Sequence, residues 1–372
     1  MPQTMLCAKI AMRYHPERLI LAHEHELQVR TSMKFDVTIF PKDLNDTSEI
    51  ARQVEAYGFD GLWTAEAQHN PFLPLPLAAA TTQRIHLGTQ IAVAFPRSPM
   101  VTAQIAWDLA AQSGGRFILG LGTQIKVHVV KRFSAQWGKP VTQLREYVEA
   151  LRAIWQAFQH ESGLRYRGEH YSFGVLPPFF NPGPIERPDI PVYISGVGPA
   201  LCKLGGEMAD GFHVHPFHTA TYLQEAILPA ISEGAAKSER TLADVERSCA
   251  IFVVTGRDDA EMQQNAQEIK TQIAFYGSTP SYARVFALHG WDGLHERLNR
   301  MTKEGKWDTM WQEISDDVLH EFAVVAPPDE LPYKVRERYE GLLTRVGYYF
   351  PFAPNDETRR VIWEHAAKAI SH

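Results

Sequence analysis

The sequence predicts an α/β protein, a TIM-type (β/α)8 barrel with insertions. Three observations predict it. Strand-type and helix-type segments alternate from Met33 to the C-terminus. The strand-type segments number eight, and no short sequence repeat underlies them. The span from Met33 to His372, about 340 residues, is a usual length for such a barrel carrying insertions.

The elements follow in order. A strand reads at Phe35–Phe40, with Val37, Ile39 and Phe40 apolar, and a helix at Thr47–Tyr57 is ended by Gly58. The second strand is Gly61–Ala65. A proline-rich loop and short helix lead to a third at Ile85–Ala94. Helix Pro99–Gln112 is stopped by Gly114-Gly115, and Arg116–Leu121 is the fourth strand. After a long insertion, helix Val141–Gln159 places Leu144, Val148, Leu151, Ile154, Trp155 and Phe158 on one face. The polar, proline-rich stretch Glu161–Pro191 reads as a hairpin-like excursion rather than a domain linker. Strand five is Val192–Ser195, its helix Pro199–Met208, and strand six Gly211–His215. Helix Tyr222–Glu233, strand seven at Ser248–Thr255 and helix Asp259–Tyr276 precede a second insertion, about Gly277–Asp316. Helical segments near Asp317–Ala323 and Asp329–Arg345, a last strand Val346–Phe350 and a closing helix Asn355–Ile370 complete the chain.

Composition excludes several function classes. There are 37 basic against 43 acidic residues, a net charge of −6, and no basic run interleaved with aromatics, so nucleic acid is not an expected partner. No apolar run approaches the roughly 20 residues that span a bilayer. Three cysteines, Cys7, Cys202 and Cys249, lie far apart. That count argues against a disulfide framework and fits a reducing cytoplasm. Residues 1–32 lack a cleavable signal pattern. They read either as a poorly packed extension ahead of a working start at Met33, or as a short helix packed on the barrel.

A glycine turn follows strand five, in Ser195-Gly196-Val197-Gly198. A dinucleotide fingerprint would need a third glycine and an acidic residue ending the next strand, and this strand ends in His213, Val214 and His215. A doubly wound sheet would also carry the fingerprint after its first strand, not its fifth. What remains is an anion site made of the Ser195 hydroxyl, the N–H groups of Gly196, Val197 and Gly198, and a helix N-terminus opening at Pro199. The alternative is a tight strand-to-helix turn without a ligand.

Four stretches, "YGFDGLWTAEAQHNPF", "IHLGTQIAVAFPRSPMVTAQIAWDLAAQSGGRFILGLGT", "REYVEALRAIW…YRGEHYSF" and "VYISGVGPALCKLGGEMADGF", agree in order, spacing and element type with one family. From about Lys34 onward the chain resembles the bacterial luciferase-like flavin and deazaflavin oxidoreductases, most of all the branch that uses coenzyme F420. The resemblance implies the TIM-type barrel. It implies that the Ser195–Gly198 loop holds the cofactor phosphate, and that a bulge with a non-proline cis peptide at Gln90 and Ile91 backs the ring. It also implies a homodimer or higher homo-oligomer acting on a small-molecule substrate.

Further candidates lie at strand ends, where barrel active sites form. Gly120 and Gly122 permit a flat ring to approach the backbone, and Thr123 and Gln124 would edge it. Glu66 ends strand two, where relatives show Asp-His or Glu-His. Here the next residue is Ala67 and the nearest histidine is His69, so Glu66 and His69 are the candidate acid-base pair. If the chain leaves the strand in a helical turn, i and i+3 share a side. His213 and His215 share a strand face. They are candidate pocket residues, and no third ligand motif accompanies them, so no metal is expected. Phe72, Phe95, Trp137, Phe179, Phe180 and Phe217 are candidates for an apolar cover, with Phe72 and Phe95 foremost. The leading expectation is an F420-dependent oxidoreductase. An FMN-dependent monooxygenase and a non-catalytic flavin-binding barrel are the alternatives.

Overall fold

A computed structural model of the chain describes residues 33–41, 43–350 and 356–370. The expectation for residues 1–32 falls outside these. Eight parallel strands form the barrel: β1 Lys34–Ile39, β2 Gly61–Thr64, β3 His86–Thr89, β4 Phe117–Gly122, β5 Val192–Gly196, β6 Gly211–Val214, β7 Glu246–Val254 and β8 Arg345–Tyr349. Each pairs with its neighbours in chain order. β1 pairs with β2 in the register Asp36↔Gly61 and with β8 in the register Lys34↔Arg345, which closes the cylinder. The outer helices are α1 Thr47–Ala56, α2 Pro74–Thr81, α3 Pro99–Gln112, α4 Pro140–Gln159, α5 Pro199–Met208, α6 Leu228–Ala236, α7 Asp259–Gly277, α8 Leu331–Tyr339 and α9 Asp356–Ile370. None of the described helices is long and apolar enough to cross a membrane.

Local chemistry sets the boundaries. Gly58, at φ 87°, ends α1, and Gly114 and Gly115, at φ 63° and 83°, end α3. The segment expected as one helix from Tyr222 is a short α turn, a π-helical turn over Leu223–Ile227 and then α6. Pro229 has no N–H for the carbonyl four residues back, so an α ladder cannot run through unbroken. The helix expected to reach Arg345 stops at Tyr339, before Gly341 at φ 76°, and Arg345 instead opens β8. The third strand is interrupted after Thr89 and resumes at Ala92–Val93, which pairs with β4. The excursion after α4 does contain a hairpin, Tyr166–Arg167 against Ser172–Phe173.

Inside the N-terminal half of the barrel the packing is polar. Arg345, wholly buried, makes a two-pronged ion pair with Asp36 at 2.8 and 2.8 Å and lies over the Trp63 ring. Glu246 takes Lys34 at 2.5 Å and the Tyr193 hydroxyl. Burial opposes ionisation of Glu246, but Arg345 and Lys34 outweigh it and hold its pKa at about 2. This ionic plug fills one end of the barrel and leaves the C-terminal end for chemistry.

Candidate active site at the barrel mouth

The floor of the mouth is built where β3 breaks. The Gln90–Ile91 peptide is cis. The Gln90 side chain turns into the barrel, where its Oε1 accepts the Thr38 hydroxyl at 2.8 Å. Its Nε2 donates to His213 Nδ1 at 3.3 Å and to Ser248 Oγ at 3.4 Å. Ile91 packs against Gly122, where an added Cβ would stand 2.6 Å from its Cδ1. A Cβ on Gly120 would collide with the Thr89 carbonyl. Packing against β3 therefore requires Gly120, a side chain at Gly122 would have to displace Ile91, and the two glycines leave a wall without side chains. Beyond β4, Gln124 adopts φ 58°, a conformation held by its own Oε1 accepting the Ile125 N–H at 3.0 Å. Thr123 donates to the Gln124 carbonyl at 3.1 Å.

The second part is the turn from β5 into α5. Gly198 is the N-cap of α5 and supplies no side-chain cap. Among the described residues, the N–H groups of Val197 and Gly198 and the Ser195 hydroxyl have no hydrogen-bond partner. Backbone geometry does not demand glycine at 198: its φ is −90°. A Cβ there would meet nothing nearer than Arg284 Nη1, at 3.6 Å. The missing side chain uncovers donors at a helix N-terminus and leaves room under a guanidinium. That combination suits a phosphate. Arg284 comes from the insertion after α7 and lies near the Tyr222 hydroxyl. The glycine spacing revealed the loop. Nothing in the insertion's sequence revealed the arginine.

Glu66 and His69 are not brought together. One Glu66 oxygen accepts the Val93 N–H and Arg97 Nη1, both at 2.7 Å, and the other accepts Arg97 Nη2 at 2.9 Å. The Glu66 N–H also donates to the Ile91 carbonyl at 3.2 Å. Glu66 thus clamps the interrupted third strand, and its side chain is only 6% exposed. The helical turn that would have paired it with His69 does not form, because residues 65–70 run irregularly. His69 is exposed on the loop beyond β2. Arg97 belongs to a quoted motif, yet its partnership with Glu66 was not anticipated.

The strand-six histidines separate. His213 is inside the barrel, edge-on to Trp63 with centroids 5.0 Å apart. Its burial, with Arg345 nearby, pushes the pKa down to about 3. His215 lies past the strand end, where Nδ1 accepts the Phe217 N–H at 3.1 Å and Nε2 pairs with the Tyr282 hydroxyl at 3.0 Å. Burial holds it near 3 as well. Burial thus favours the neutral form of both rings.

The expected aromatic cover is only partly assembled. Phe95 and Trp137 meet edge to face at 5.7 Å, and Phe72 is buried beneath Arg97. Phe217 instead belongs to a cluster with Tyr282, Phe286 and Phe322. Phe179 and Phe180 are 90% and 63% exposed, beside Asn181, which bonds Ala157 near the C-terminal end of α4. That end faces away from the mouth. Elsewhere, Glu146, Glu169 and His170 bring ligand-type atoms within 4.8 Å of one another. The Glu146 carboxylate is already taken by the N–H groups of Glu169, His170 and Tyr171, which clip the hairpin to α4.

Comparison with known proteins agrees with the barrel fold. The sequence profile of the luciferase-like monooxygenases matches residues 19–345. An uncharacterized protein of Mycobacterium tuberculosis is 48% identical over 314 residues, 84% of this chain and 92% of that protein. The 5,10-methylenetetrahydromethanopterin reductase of Archaeoglobus fulgidus is 26% identical, over 87% of this chain and 95% of its own. Among solved structures, the coenzyme F420 dependent tetrahydromethanopterin reductase of Methanopyrus kandleri superposes with a TM-score of 0.73 at 23% identity, covering 91% of this chain and 98% of that one.

Proposed function

The chain belongs to the luciferase-like monooxygenase family, and from that premise we propose that it transfers hydride between coenzyme F420 and a small organic substrate. One observation carries the reading. An anion cradle at Ser195–Gly198, left without a side-chain cap at Gly198 and faced by Arg284, lies at the same strand ends as the glycine-walled floor at Gln90–Ile91. The residues present fit a tricyclic ring on a ribityl phosphate. Bound F420 would supply the carbon that gives or accepts hydride.

The protein's own residues would do the rest. The Val197 and Gly198 N–H groups, the Ser195 hydroxyl and Arg284 would hold the phosphate. Gln90 is fixed by Thr38, His213 and Ser248, and with Ile91 it would support the ring. Glu66 and Arg97 would hold that support in place from outside the barrel. His69 would carry the proton that accompanies hydride, a task suited to histidine as a residue type. His213 would not, because a ring held near pKa 3 stays neutral at physiological pH.

The F420-linked and methanopterin-reducing relatives support F420 over FMN. The monooxygenase description of the family supports the second reading, FMN with oxygen, because the same cradle would take either phosphate. Protein purified from a host that makes both coenzymes separates them. The extracted cofactor should carry the mass and near-ultraviolet absorption of F420. Extraction of FMN alone would overturn the assignment.

A further inference from the structure

A cavity of about 620 Å³ opens beyond the C-terminal ends of β1, β2 and β8 and runs outward between α1 and α9. It joins the barrel mouth at Thr38, which lines it and also donates to Gln90. His69, Gln68 and Asn70 stand along one side of this cavity. The outer wall is apolar and is built by Leu44, Ile50, Phe59, Ile362 and Trp363. Three large apolar side chains on its lining, Phe40, Leu44 and Leu73, remain 47%, 41% and 57% exposed. Isolated exposed apolar groups are ordinary, but a group of them around a concave apolar surface marks a ligand site. The volume lies within the roughly 300–1,000 Å³ usual for pockets that bury a small molecule.

Charge narrows the ligand. Among the described lining residues the ionisable ones are Asp36, His69, Arg359 and two tyrosines, Tyr348 and Tyr349, whose hydroxyls burial pushes well up and keeps neutral. Asp36 is committed to Arg345 by two hydrogen bonds. Arg359 lies over the Trp363 ring, 5.5 Å from its centre. A phosphate or carboxylate deep in this cavity would lose its hydration beside an apolar wall, which is strongly unfavourable. A molecule with an apolar body and one neutral oxygen function loses little.

We infer that this cavity is the substrate pocket, and that it takes an uncharged, predominantly apolar alcohol or carbonyl compound. The oxygen-bearing carbon would point to Thr38 and His69, and the hydrocarbon body would lie toward Trp363. This rests on the cofactor reading above, because the reacting carbon must face the ring supported by Gln90.

The test is a binding series by calorimetry, with straight-chain 2-alkanones of four to ten carbons and alkyl phosphates of matching length. It is run with and without saturating F420, and F420 itself is titrated into the same samples. Affinity for the alkanones should rise about three- to fourfold per added methylene, the factor expected for burying that group. The matching phosphates should bind at least tenfold more weakly. Leu73→Asp and Phe40→Asp, both at half-exposed positions, should flatten the chain-length dependence while F420 affinity is kept. A flat alkanone series, or phosphates that bind as well, with normal F420 binding, would overturn this inference and leave the cofactor reading intact. A normal alkanone series without F420 binding would support the pocket and overturn the cofactor reading.

Discussion

Glu66 and Arg97 form a two-pronged ion pair that ties the end of β2 to the chain beyond the interrupted third strand, with oxygen–nitrogen distances of 2.7 and 2.9 Å. The same carboxylate accepts the Val93 N–H, and the same guanidinium donates to the Val93 carbonyl at 2.8 Å. A motif carboxylate at a strand end is thus engaged in holding the interrupted third strand.

Removing one partner should therefore act on stability first. Arg97→Met leaves a nearly buried carboxylate without its cation, and breaking a buried pair costs about 3–5 kcal/mol. Glu66→Gln in the same chain should recover part of that loss. A double-mutant cycle by urea unfolding measures the coupling. Additive effects of the two changes would show that the pair does not act as a unit.

The proposed phosphate cradle makes the opposite prediction. Arg284 is exposed, and Gly198 has space for a side chain. Arg284→Ala and Gly198→Val should both fold with little change in melting temperature. Each should weaken cofactor binding about 10- to 100-fold, the equivalent of the 1.5–3 kcal/mol of a charge-assisted hydrogen bond. Unchanged affinity in either folded variant would remove that residue from the cradle.

Acid stability follows from the buried histidines. Burial, the first cause in each case, holds His213 and His215 at about 3 and His218 at about 4, below the ordinary value of about 6.5. The folded protein therefore binds fewer protons than the unfolded chain between these limits. Their contribution is fully present above about pH 6.5, falls as pH drops, and levels off as the folded rings protonate near 3–4. Each ring adds a slope of up to about 1.4 kcal/mol per pH unit. Loss of ionised Glu246, held near 2, begins only below about pH 4.5, outside the upper window. The urea midpoint should fall from pH 7 to pH 5, with an uptake of about three protons on unfolding. A flat profile over that range would contradict the neutral assignment of these three rings.

The barrel was legible because strand and helix periodicities, glycine stops and proline starts are local. Helices Pro99–Gln112 and Pro199–Met208 emerge at the boundaries read from sequence. The end of α8 was overrun because Arg345 reads as a polar, helix-compatible residue; its partner Asp36 lies 309 positions away. The backbone features of the candidate site were legible, since the cis peptide at Gln90–Ile91 and the turn into a helix at Gly198 are both present. The site was illegible where side chains from distant insertions converge. Arg284 reaches Gly198 across 86 positions, with no motif to announce it. The Glu66–His69 pairing failed because i and i+3 meet only on a helical turn, and this loop does not make one.

His69 is assigned the proton as a separate matter from binding. His69→Ala should lower turnover about 10²–10⁴-fold, the usual contribution of general acid-base catalysis, while cofactor affinity stays within about twofold. Because the residue is exposed, the fold should be unaffected. A variant with more than about half of normal turnover would exclude the histidine from proton transfer.

The central claim is that the mouth between Gln90 and Ser195–Gly198 receives F420, and parallel fluorescence titrations of the purified protein with F420 and with FMN test it most directly. The account predicts saturable F420 binding that weakens in Arg284→Ala and Gly198→Val, with FMN bound more weakly. Tight FMN binding with no response to F420 would contradict it.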